Sequence, residues 1–81
     1  MSDGEQMALS RMQTGQSGRV IEIRGGYGMV NRLSALGVRA GKKLTKTSSG
    51  FARGPVTVRV DKTQIAIGFG IASRIIVELA K

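Results

Sequence analysis

Hydrophobic positions along the chain change their period several times, and each change marks an element. The clearest stretch is Pro55 to Val60, where Val56, Val58 and Val60 alternate with Thr57 and Arg59, the period of two expected of a strand with one buried face. Asp61 and Lys62 then supply a tight turn, and Ile65 and Ile67 carry the alternation on through Thr63 to Ile67, which predicts a hairpin. Arg19 to Arg24 is rich in β-branched residues and stops at Gly25 and Gly26. It reads as the first strand, with Gly15 and Gly18 bracketing the turn before it. Val20, Ile21 and Ile23 break strict alternation, so a bulge or burial on both faces is expected there.

From Gly28 to Leu36 the period lengthens. Met29, Leu33 and Leu36 recur at i, i+4 and i+7, one stripe of a short helix turned to the core. Gly37 suits the left-handed position just past a helix, with Val38 placed to make the accompanying apolar contact. Lys42 to Ser48 contains threonines but little that is apolar, which predicts an exposed or edge strand guarded by its lysines. Ile71 to Arg74 has room for one helical turn, and Ile75 to Leu79 reads as a last strand with Ile75, Val77 and Leu79 on one side. Ile76 makes the other side apolar too, so that face should meet the helix, a loop or a second subunit.

Residues 1–8 read as a flexible tail and 9–81 as one domain. The class is all-β with one short helix after the first strand: about five antiparallel strands, which close best as a small SH3-like barrel. With 81 residues and 41% hydrophobic content the chain can build one core, of the kind that leaves only ~3–5 kcal/mol of net stability. Barrel closure or self-association would support it.

Composition excludes more than it implies. The chain has no His and no Cys, and so lacks the common neutral-pH base, the thiol nucleophile and the soft metal ligands. Its five acids, Asp3, Glu5, Glu22, Asp61 and Glu78, are scattered, whereas a hard-cation site or a hydrolytic carboxylate pair needs them clustered. No catalytic residue, metal site or cofactor is expected. Without cysteine there is no disulfide framework, and the acidic start MSDGEQMALS is no secretory signal. These features point to the cytoplasm.

The net charge is +8, and all 13 basic residues lie from Arg11 onward, where they face only three of the five acidic ones. Such a field attracts acidic partners, nucleic acid or anionic lipid. Arg39, Lys42, Lys43 and Lys46 form a basic run, reinforced by Arg53, Arg59 and Lys62, and either a solvated face or a docking surface accounts for it. Each such residue adds about 1 kcal/mol at an anionic membrane. Tyr27 at the strand-to-helix bend, Arg32 off the helix stripe, and Phe51 and Phe69, each near glycines, complete the candidate partner-binding set. Gly25, Gly26 and Gly28 lack the spacing of a phosphate-binding loop and read as a flexible bend. RNA binding is the alternative that the charge favours. Only three aromatic residues and no Trp argue against it, because single-strand binders stack bases on rings. The same shortage argues against a groove for proline-rich peptides.

Four segments in order, ALSRMQTGQSGRVIEI, RLSALGVRAGKKL, GPVTVRVDKTQIAIG and IASRIIVEL, make the chain from Leu9 to Leu79 resemble the ferrous iron transport protein A (FeoA) family of SH3-like domains. The resemblance implies an accessory protein of iron uptake that binds and regulates the FeoB permease, a membrane protein with a cytoplasmic G-protein domain, at the inner face of the cell membrane. It also brings the family's association with transition metal ions. Related domains end iron- and manganese-responsive repressors, behind a DNA-binding helix-turn-helix that is not read here. Because this chain lacks His and Cys, the implied role is contact with another protein rather than carriage of iron. Self-association and peripheral contact with anionic membrane stay open.

Overall fold

The valine alternation at residues 56–60 is realised as a strand whose Val56, Val58 and Val60 are buried while Arg59 is exposed. The computed structural model describes residues 4–49 and 54–80. In chain order it comprises β1 (Gln6–Ala8), a 3₁₀ turn (Leu9–Arg11), β2 (Ser17–Ile23), α1 (Tyr27–Ala35), β3 (Lys43–Ser49), β4 (Val56–Val60), β5 (Thr63–Ile67), α2 (Phe69–Ala72) and β6 (Ile75–Leu79). The strands form one antiparallel sheet in the order β1-β6-β2-β3-β4-β5. Val20, Leu44, Val58, Ile65 and Val77, from five of these strands, share one core with Leu9, Leu33, Val38 and Ala72. A single sheet can converge on one cluster only by curling around it, which gives the expected SH3-like barrel with a short helix. Among the described residues no helix is long and apolar enough to cross a membrane.

Several local readings are realised. Val60 and Thr63 pair across the two-residue turn Asp61–Lys62, and Asp61 takes a left-handed backbone, φ 56°. The broken alternation of β2 is a register shift against β6 between Val20 and Glu22. Gly37 ends α1 with φ 98°; its N–H donates to Ser34 and that of Val38 to Leu33, both at 2.9 Å. This paired arrangement is the Schellman cap, and it drops Val38 into the core at 0% exposure.

Other readings are corrected. Gln6–Ala8, inside the stretch expected to be a tail, is a strand: Met7 pairs with Val77 and packs against the core. Among the described residues there are therefore six strands where five were expected. Gly18 lies within β2 rather than in the turn before it, and a Cβ there would come within 2.8 Å of the Glu78 carbonyl oxygen; β6 approaches too closely for any side chain. β3, read as an edge strand, runs between β2 and β4. Its inward positions are filled by Leu44 and, in place of a second apolar residue, by Lys46, which is 2% exposed. Leu36, assigned to the core stripe, is 49% exposed, because the cap turns the chain at Gly37 and gives the buried place to Val38.

Candidate docking surface

Helix α1 presents Tyr27 at its first position, 89% exposed. Asn31, Arg32 and Ala35 follow on the solvent side, while Leu33 is buried and Met29 packs against the core. At 100° per residue, Tyr27 and Leu36 lie about 180° apart around the axis, at the two edges of this open side, and about 13.5 Å apart along it. Arg32 lies between them. The first turn of α1 carries no acid, and its last turn carries Arg32, whose charge sits favourably near the C-terminal carbonyls.

The chain leaves α1 through Gly37 and Val38 and turns at Arg39–Lys42. Two backbone bonds hold this turn against β2: Gly41 N–H to Val20 at 2.7 Å, and Val20 N–H to Lys42 at 2.8 Å. Arg39 and Lys43 are exposed. Lys42 is half-buried and pairs with Asp61 at 2.8 Å across the hairpin tip, so its charge is partly spent within the fold. Lys43 lies directly opposite Arg19 of β2, and the Arg19 guanidinium donates to the Gly41 carbonyl at 2.9 Å. Arg59 occupies the outward position opposite Thr45, diagonal to Lys43. The outer faces of β2, β3 and β4 thus carry Arg19, Lys43 and Arg59, near Arg39 in the turn.

Lys46 has to be removed from the basic run. Its side chain crosses the core and its ammonium donates to the carbonyls of Met12 and Ser10, the latter at 3.3 Å. Those carbonyls belong to the 3₁₀ turn and the residue just after it, the segment that packs Leu9 and Met12 into the core. Burial disfavours the charged amine and lowers its pKa below the ordinary lysine value of 10.5. The strand alternation explains the placement: Lys43 and Thr45 point out, Leu44 and Lys46 point in. Phe69, a candidate contact near glycines, begins α2 and is half-buried. Phe51 and Arg53 lie outside the described residues.

The structure thus places Tyr27 and Arg32 on the solvent side of α1, about 140° apart around its axis, and Arg39 and Lys43 on the turn and strand beyond it. Sequence reasoning missed Arg19 and Leu36. The outward parity of Arg19 is visible beside Val20, but its meeting with Lys43 depends on register. Leu36 was foreshadowed by Gly37, since a residue at the helix end loses the stripe when the chain reverses. Among the described residues, no three carboxylates or other ligating side chains group around a common point.

The FeoA domain family model matches residues 7–79. A solved iron uptake regulatory protein (FeoA) is 30% identical, with 94% of this chain and 99% of that one covered and a TM-score of 0.84. FeoA of Stenotrophomonas maltophilia, solved with zinc and described as a prokaryotic SH3 domain protein, is 25% identical over 88% of each chain, with a TM-score of 0.72. A manganese-dependent transcriptional repressor shares the fold at 18% identity, TM-score 0.86, with 99% of this chain covering 45% of that one. Among curated proteins, none matches. The family match spans nearly the whole chain and the overall fold is shared with a solved FeoA, so the chain belongs to the FeoA family.

Proposed function

We propose that this chain is an accessory module of ferrous iron uptake, working at the inner face of the cell membrane by binding the cytoplasmic G-protein domain of the FeoB permease. The observation that carries this reading is the family match across residues 7–79, nearly the whole length of the domain. Surface chemistry supports it. Tyr27 and Leu36 put apolar area in solvent at the two ends and opposite edges of the exposed side of α1, with Arg32 between them and Arg39 beyond, and aromatic and arginine residues anchor interfaces more often than other types. The RNA reading finds less support: the described aromatics, Tyr27 and Phe69, begin helices and offer no stacking platform on the sheet.

Calorimetric titration of the full chain into the isolated cytoplasmic domain of the permease tests the reading. Binding is expected at low ionic strength and should weaken as salt rises. Replacing Tyr27 and Leu36 together by Ala should weaken it about tenfold or more, with an unchanged unfolding midpoint because both side chains are exposed. No binding at low salt, together with unchanged ferrous iron uptake when the chain is deleted, overturns the proposal.

A further inference from the structure

On the side of β6 that points away from the core, Ile76 lines an open depression flanked by the 3₁₀ turn and the end of α2. β6 runs between β1 and β2, and Ile76 pairs with Ala8 on one side and Glu22 on the other. Ile75 and Val77 on either side of it are fully buried in the core, so the alternation turns Ile76 outward. Ile76 and Ala8 form an apolar part of the lining of a depression of about 510 Å³, whose wall includes Arg11, Arg24 and Ser73, with Glu5 also at the lining.

The cationic groups here do little for the fold. Arg11 is exposed and makes no ion pair with a described residue. Arg24 is paired with Glu22 at 3.3 Å, but both side chains are more than half exposed, and such pairs exchange readily for other partners. The Arg24 N–H donates to the Arg74 carbonyl at 2.8 Å, which brings a third exposed arginine alongside. An apolar patch of Ala8 and Ile76 within a largely polar lining, with the guanidiniums of Arg11 and Arg24 beside it, matches an aliphatic side chain accompanied by carboxylates, since the forked donors of Arg fit a carboxylate bidentately.

We propose that this depression is a second interaction site, separate from the α1 face, which takes an acidic peptide segment carrying one aliphatic anchor. Concavity favours a peptide over the alternatives. A membrane surface meets the outermost cations but leaves the recessed apolar patch unfilled, and nucleic acid has no ring in the lining on which to stack a base. The site does not depend on the identity of the permease.

The probe is a capped peptide with Leu flanked by two Glu on each side, titrated into the ¹⁵N-labelled full chain at low salt and followed by amide chemical shifts. Shifts confined to Ala8, Arg11, Arg24, Ser73 and Ile76 and their neighbours are expected, with saturable binding. The double variant Arg11→Glu, Arg24→Glu should bind at least tenfold more weakly while keeping native amide dispersion, and a peptide with Gly in place of Leu should bind several-fold more weakly. Absence of shifts at these residues overturns the proposal. So does equal binding of the Gly peptide, or stronger displacement of the same amides by phosphatidylserine vesicles or a short single-stranded RNA, since each marks the surface as a general anion contact. Native spectra with lost binding in Arg11→Gln, Arg24→Gln support it independently of charge reversal.

Discussion

Hairpin β4–β5 and strand β3 lie side by side in one sheet, yet they are built from different materials. The hairpin fills the core with Val56, Val58, Val60, Ile65 and Ile67 and sends Thr57, Arg59 and Gln64 outward, so polarity assigns every position except the small, exposed Ala66. β3 offers only Leu44 as an apolar inward residue and completes its core face with Lys46. The contrast shows that a core slot is defined by what the cavity needs rather than by the hydrophobicity of the residue that fills it. Here the slot needs a long aliphatic stem and, at its far end, donors for two carbonyls of the 3₁₀ turn. A lysine meets both requirements, at the cost of desolvating a charge.

The largest effect expected from breaking this arrangement is that of Lys46→Ala. It removes the stem and leaves the Ser10 and Met12 carbonyls without their donor, and should destabilise by about 3 kcal/mol, read as a fall in the denaturant midpoint at unchanged slope. Val58→Ala in the hairpin deletes methyl groups alone and should cost about 2 kcal/mol. If the two variants reversed this order, the buried amine would be contributing little beyond volume.

Asp61→Ala should cost about 1 kcal/mol, because alanine tolerates the left-handed turn poorly and the ion pair to Lys42 is lost, whereas Asp61→Gly should recover most of that loss. A smaller effect distinguishes charge from shape. Below the lowered pKa of Lys46 both folded and unfolded chains hold the proton, and the full desolvation cost is present. As pH rises from that pKa towards 10.5 the folded chain releases its proton first, so the unfolded chain binds more protons and stability rises. Lys46→Met keeps the stem without the titration, so the wild-type chain should gain stability relative to it over this alkaline window. A wild-type chain that loses ground to Lys46→Met there would refute the assignment. Lys43→Ala, three residues away but pointing outward, should shift stability by less than ~0.5 kcal/mol.

What could be read in advance follows the same division. The hairpin, the β2 bulge, α1 and its glycine cap are each specified by residues close in sequence, and the structure places them within one or two residues of the expected bounds. Where a position depends on distant partners, reading failed. β3 looked like an edge because Lys46 reads as solvent-facing until the carbonyls of Ser10 and Met12 are brought to it. β1 is three residues long and pairs with β6 at the opposite end of the chain, so no local period marks it. For the candidate surface, Tyr27, Arg32, Arg39 and Lys43 were legible as polar or aromatic residues at bends and off stripes. Arg19 became visible only with the β2–β3 register, and Leu36 only with the direction in which the chain leaves the helix.

Burial of Lys46 also has a consequence for reactivity. Amine-directed reagents modify exposed lysines at a pace set by their own chemistry, but the Lys46 nitrogen is withheld from them until the sheet parts from the 3₁₀ turn. Labelling at this one residue is therefore a clock for opening: its rate counts how often the molecule comes apart, and a bound partner that steadies the barrel would slow the clock without touching the lysine.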